Sequence, residues 1–268
     1  MRRIACLSVL LLLVLCMNAQ AAELELYGAG SLSRVMGEMA AEYESLTGNK
    51  VKTTFGSSGK MREILEKPAT GDIFTSANMG HPQQLQKMGR APFVAEFAQN
   101  VLCVFGNKKA GVTDQNVLEK LLDPSLKVGI FPSHDPSGEY ALRMFKRADA
   151  VKPGAEKTLL DKAVVMEAEL VRGKVPEGDD FMSQLMREGM IDMYVAYASG
   201  AEAALKREGT PVTSVGQLPS DLKVGVNYGL TVLSDAKPEA YQLALFILSE
   251  KGQGILKKYG FAPIGLTD

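Results

Sequence analysis

The chain has 268 residues, above the usual size of a single domain, so two lobes are expected. Its 30 Lys and Arg against 31 Asp and Glu leave a net charge of −1. The charges are interspersed, tryptophan is absent and no basic stripe with interleaved aromatics occurs, which argues against a nucleic-acid surface.

Arg2 and Arg3 precede an apolar run from Ile4 to Leu15, and Ala19-Gln20-Ala21 then supplies small residues at cleavage-site spacing. This is the pattern of a secretory signal peptide over residues 1–21. The run is shorter than the roughly 20 residues that a membrane-spanning helix needs. Cys16 raises lipidation, but the bulky Leu15 before it favours cleavage after Ala21. A soluble, exported product is therefore expected. Losing Arg2 and Arg3 takes the 30 basic side chains to 28 against 31 acidic ones, a balance of −3. Cleavage also removes Cys6 and Cys16, so Cys103 has no partner for an intramolecular disulfide. Within the apolar run Val101 to Phe105, it reads as a small buried hydrophobe.

Strand-like runs follow at Leu24 to Tyr27, Val51 to Phe55, Asp72 to Ser76, Val101 to Phe105, Lys127 to Phe131, Met193 to Tyr197 and Val226 to Leu233. Helical spacing lies between most of them. Val35, Met39, Tyr43 and Leu46 mark one helix up to a stop at Thr47-Gly48, and Val117, Leu118, Leu121 and Leu122 mark another before Pro124. The alternation predicts an α/β fold with mainly parallel sheets. Met182, Met186 and Met190 are expected on one buried helical face, which is the commoner use of spaced methionines than copper binding. Lys206-Arg207-Glu208 and Lys257-Lys258 read as solvated helix ends.

Three strand-to-helix turns share one chemistry. Gly28-Ala29-Gly30-Ser31 follows the first strand, and Gly56-Ser57-Ser58-Gly59-Lys60 follows the second. Pro132-Ser133-His134-Asp135-Pro136-Ser137-Gly138 follows the strand ending at Phe131. Singly, each is most simply a loop. Together, at the carboxyl edge of a parallel sheet, their hydroxyls and helix N-termini could converge on one anion. None of the three turns carries an arginine, which suits a fully ionised tetrahedral oxyanion held by neutral donors. A protonated phosphate would need an accepting carboxylate, for which Asp135, Asp179 and Asp180 are candidates, although helix capping is the commoner role.

Enzymatic alternatives are weaker. Gly28-x-Gly30-x-x-Ser33 lacks the third glycine of a dinucleotide fingerprint, and such an exported enzyme would need its cofactor outside the cytoplasm. A serine nucleophile would need a base, but the only histidines are His81 and His134, and no Gly-x-Ser-x-Gly elbow surrounds Ser31 or Ser58. His134 reads as a loop-surface residue.

Tyr27-Gly28-Ala29-Gly30-Ser31-Leu32, Phe55-Gly56-Ser57-Ser58-Gly59 and Gly71-Asp72-Ile73-Phe74-Thr75-Ser76-Ala77 resemble the periplasmic molybdate-binding proteins of ABC importers. The likeness continues through Asp135-Pro136-Ser137-Gly138-Glu139-Tyr140-Ala141, Tyr197-Ala198-Ser199-Gly200-Ala201 and Ile255 to Phe261. It implies a two-lobe, type II periplasmic binding fold. Residues 22–103 and 226–268 would form one lobe and residues 104–225 the other, with a hinge of crossing strands near Cys103 and Val226. The resemblance places ligand hydroxyls on Ser31 and Ser58, a backbone donor on Ser137 and a tyrosine hydroxyl on Tyr197, with Tyr194 as an alternative. Molybdate or tungstate would be the ligand, with no further cofactor, and an ABC permease the partner of a monomeric periplasmic protein. Gly178-Asp179-Asp180-Phe181 and Arg172-Gly173-Lys174 depart from the pattern, and Asp180 beside a dianion would disfavour it unless turned away or protonated. The opening turns, with Thr47-Gly48-Asn49-Lys50-Val51, are also similar to phosphate-binding proteins, so phosphate or sulfate is the second reading.

Overall fold

The computed structural model of the protein describes residues 21–177 and 179–264. Apart from Ala21, the expected signal peptide lies outside the described residues. Two sheets carry the fold. The first begins with β1 (Glu23–Ala29), β2 (Lys50–Gly56), β3 (Ile73–Ser76) and β4 (Ala95–Asn100). The chain then crosses at Val101 into the second sheet, formed by β5 (Leu102–Gly106), β6 (Val128–Ile130), β7 (Ala163–Val165), β8 (Met193–Tyr197) and β9 (Ser214–Gln217). It returns to the first with β10 (Val226–Val232) and β11 (Ala262–Pro263).

The strand orders are β11-β4-β10-β3-β1-β2 and β7-β6-β8-β5-β9. In the first sheet β2, β1 and β3 are parallel, and β10 runs against both β3 and β4. In the second, β7, β6 and β8 are parallel, and β5 runs against β8 and β9. Each sheet thus keeps one prevailing direction, reversed at β10 and β11 in the first and at β5 in the second. The consequence is functional. The carboxyl ends of the parallel strands, where an open α/β sheet binds its ligands, carry the three polar turns seen in the sequence.

Helices cover the sheets because their apolar faces need a partner. In the helix Ser33–Thr47, Val35, Met39 and Tyr43 are buried, and Gly48 ends it with φ 77° and its N–H on the Glu44 carbonyl. Leu46, the last of the four residues at helical spacing, is 58% exposed in the helix's last turn. Of the three methionines expected on one buried helical face, Met186 is buried and Met182 partly buried on the helix Phe181–Arg187, but Met190 lies beyond its end. Both Met182 and Met190 pack against the cluster of Cys103, Phe105 and Tyr194, while Met193 is buried in β8 in the other core cluster. The methionines therefore fill core space. Cys103 is fully buried, and that burial pushes its thiol up to about 12. Among the described residues no helix is long and apolar enough to cross a membrane.

Candidate functional site

The turns of both sheets line one cavity of about 980 Å³ between them. Ser31, Ser58, Ser137, Tyr197 and Asp180 all reach it, as does the alternative Tyr194. The lobes approach closely on one side. A Cβ on Gly59 would stand only 3.6 Å from the His134 carbonyl oxygen, and the Asn78 amide donates to Glu139 at 3.3 Å across the seam. On the other side, Gly30 and Ser31 are exposed to the cleft.

Each hydroxyl is held by local chemistry. Ser57 caps the helix Ser58–Leu65, its Oγ accepting from the Lys60 N–H, which places Ser58 inside the first turn. The Ser58 Oγ, 1% exposed, accepts the Ala77 N–H at 3.1 Å, so its own hydrogen is left to donate. The Ser31 Oγ lies 3.1 Å from the Tyr228 hydroxyl. From the second sheet come two buried oxygens with no hydrogen-bond partner among the described residues, Ser137 Oγ and Tyr197 Oη. A buried hydroxyl without a partner costs free energy, so this pair fits a site completed by a ligand. Burial, then the neighbouring Tyr228 and Asp135, raises the Tyr197 hydroxyl well above its ordinary value, so it remains a protonated donor.

The Ser137 backbone differs from the sequence expectation. Its N–H is bound at 2.8 Å by the Asp135 carboxylate, which caps the helix Pro136–Val151, so the side-chain oxygen rather than the amide is left for a ligand. Gly138 permits this turn, since any Cβ there would meet the Pro132 and Phe131 carbonyl oxygens at 2.2 and 2.3 Å. Burial raises the Asp135 carboxyl, opposed by the Ser137 N–H and by His134. His134 lines the cavity as an exposed loop residue.

Asp180 is a cap and an ion-pair partner. One oxygen accepts the Ser183 N–H at 2.7 Å at the start of the helix Phe181–Arg187, and the other pairs with Arg207. Arg207, read in the sequence as a solvated helix end, instead lines the cavity and also binds Asp179 at 2.9 Å. Arg187 pairs with Asp179 from the other side. Two carboxylates and two guanidiniums thus balance, which removes the repulsion that a lone Asp180 would exert on an anion. The sequence offered no signal for this, because Arg207 approaches from 27 residues away in the chain.

Burial pushes the Asp179 carboxyl up, but the Asp180 N–H and the two arginines outweigh it and hold the carboxyl below its ordinary value. A carboxyl lowered by folding stabilises the fold above its unfolded value, and that contribution is lost as pH falls through the folded value. Thermal midpoints are expected to drop as pH falls below about 4, and Asp179→Asn to lessen that drop. Melting curves from pH 7 to pH 2 check both. An unchanged pH dependence in the variant would remove Asp179 from this role.

Comparison with known proteins follows the same lines. Residues 24–262 match the family described as bacterial extracellular solute-binding protein. An uncharacterised protein of Pasteurella multocida is 30% identical over 224 residues, 81% of this chain and 89% of that one. The molybdate-binding protein ModA of Azotobacter vinelandii is 25% identical over 250 residues, 91% of each chain. Solved structures of a periplasmic molybdate-binding protein from A. vinelandii and of the sulfate-binding protein SubI from Mycobacterium tuberculosis superpose with TM-scores of 0.70 and 0.72, each at 16% identity over 91% of this chain. They cover 100% and 88% of those chains respectively and share the two-lobe type II fold. The chain belongs to the bacterial extracellular solute-binding proteins, a family of binding proteins rather than enzymes.

Proposed function

We propose that the protein captures a tetrahedral oxyanion, molybdate or tungstate, in the periplasm and delivers it as a monomer to an ABC permease. The observation that carries this reading is the pair of buried, unpartnered hydroxyls, Ser137 Oγ and Tyr197 Oη, in the same cavity as Ser58. Tetrahedral oxygens would accept from them and from Ser31 and Ser58, while the N-terminal ends of the helices Ser58–Leu65 and Pro136–Val151 favour negative charge. The likeness to a molybdate-binding protein supports the choice of anion. Residues 1–21 would be cleaved on export. The lobes, one formed by the chain up to Val101 and from 226 onward and the other by the chain between, would close about the crossings at Val101 and 218–225, because the ion would have donors on both.

Two other anions have one observation each: the sulfate-binding neighbour has the same fold, and Asp135 in the cavity lining offers a carboxylate acceptor suited to hydrogen phosphate. Thermal unfolding of ligand-free protein with molybdate, tungstate, sulfate or phosphate at equal ionic strength tests the assignment. A ligand that binds only the folded state raises the midpoint, by an amount equivalent to about 2.7 kcal/mol at a hundredfold excess over Kd. A rise with molybdate or tungstate alone supports the primary reading. A rise with phosphate alone transfers the assignment to phosphate, and no rise with any of the four removes the oxyanion reading.

A further inference from the structure

We infer that Asn100 and Tyr228 are positioning residues that force Ser31 to donate its hydroxyl hydrogen to the ligand, through a hydrogen-bond chain with one permitted direction. The inference rests on the oxyanion reading and specifies what the ligand must present to Ser31, an oxygen with a lone pair free to accept.

The direction starts at the crossing between the sheets. The Val101 N–H donates to Asn100 Oδ1 at 2.9 Å, which identifies that atom as the carbonyl oxygen and leaves Nδ2 as the donor. Asn100 Nδ2 has two hydrogens and two acceptors within reach, Ser199 Oγ at 2.8 Å and Tyr228 Oη at 3.5 Å. The Tyr228 oxygen thereby accepts from Asn100, and its single hydrogen points at its remaining partner, Ser31 Oγ, at 3.1 Å. Having accepted, Ser31 keeps its own hydrogen for the cavity that it lines. Tyr228 is fully buried and its hydroxyl is raised by that burial, so it does not give up the proton on which the chain depends. Aromatic packing holds its ring, with Phe97, Tyr197 and Phe261 each meeting it edge-on at centroid distances of 6.2, 5.7 and 5.4 Å.

The same logic operates at Ser58, where the Ala77 N–H occupies the acceptor side of the hydroxyl. Both hydroxyls contributed by the first sheet are therefore set as donors before any ligand arrives. Preorganised donors need not reorient on binding, which is where such a chain adds affinity. The chain also joins the lobes, because Ser199 follows β8 of the second sheet while Asn100 ends β4 of the first.

A double-mutant cycle tests the chain. Binding of molybdate, tungstate, sulfate and phosphate is measured by calorimetry for the wild type, Tyr228→Phe, Ser31→Ala and the double variant. Tyr228→Phe keeps the ring and removes only the oxygen. It is expected to weaken binding about tenfold in the wild-type background, as one donor loses its direction, and less than about twofold in the Ser31→Ala background. A merely structural role for Tyr228 would give the same loss in both backgrounds, and that result overturns the inference. Asn100→Leu is a second entry to the chain if Tyr228→Phe does not fold or Ser31→Ala binds too weakly to measure. It frees the Tyr228 hydroxyl to turn and is expected to weaken binding severalfold, and unchanged affinity in this variant also overturns the inference. A wild type that binds none of the four anions overturns the oxyanion reading and the inference with it, whereas measurable wild-type binding with additive losses overturns the inference alone.

Discussion

Ser58→Ala is expected to weaken oxyanion binding by about 1–3 kcal/mol, because a ligand oxygen in a buried site loses its donor. The position is unusually constrained. Ser58 is 1% exposed, sits in the first turn of its helix and has its acceptor side filled by the Ala77 N–H. The same substitution leaves the Ala77 N–H without its partner, so a smaller loss of folding stability, about 1 kcal/mol, is expected beside the binding defect. Calorimetric titration and urea unfolding of the same preparation separate the two. Normal affinity would place the ligand away from the first sheet.

Gly138→Ala is expected to destabilise the fold by about 3 kcal/mol. A methyl group at this position would overlap the Pro132 and Phe131 carbonyl oxygens, at 2.2 and 2.3 Å, and both are backbone atoms that cannot swing aside as a side chain would. Relief requires the loop 131–135 to move away from the helix Pro136–Val151. That motion would break the cap from Asp135 to the Ser137 N–H and displace the Ser137 hydroxyl from the cavity. Stability and affinity should therefore fall together, unlike the separable effects at Ser58. Urea midpoints and titration with the bound oxyanion check this, and a change in stability below about 0.5 kcal/mol would show that the loop yields freely.

Most of the architecture was legible in the residues because the strands that define it are apolar runs bounded by glycine and polar turns. The seven expected runs correspond to β1, β2, β3, β5, β6, β8 and β10. The strands β4, β7, β9 and β11 escaped for physical reasons. Ala-Glu-Phe-Ala-Gln-Asn in β4 has no continuous apolar run, and the three-residue β7, four-residue β9 and two-residue β11 are too short to show a period. Their strand character comes from the neighbour that supplies the ladder. At the site, the glycine-flanked serines were visible as local patterns, and the aspartates 135 and 180 proved to be the helix caps that their positions suggested.

What the chain order could not reveal is pairing at a distance. Tyr228 meets Ser31 across 197 residues and reaches Asn100 across 128, and neither residue carries a motif that marks it as part of a site. Arg207 looked like a solvated cation because it sits in the charged run Lys206-Arg207-Glu208 at a helix end, yet the fold brings it to two carboxylates at the cavity wall. The sequence by itself determined the α/β elements and the hydroxyl-bearing turns, since propensity, apolar period and turn chemistry act over a few residues. The tertiary structure alone decided which of those hydroxyls are obliged to donate and which charges are cancelled. Both depend on the partner an atom meets, and that partner is set by sheet order and the two crossings between the lobes.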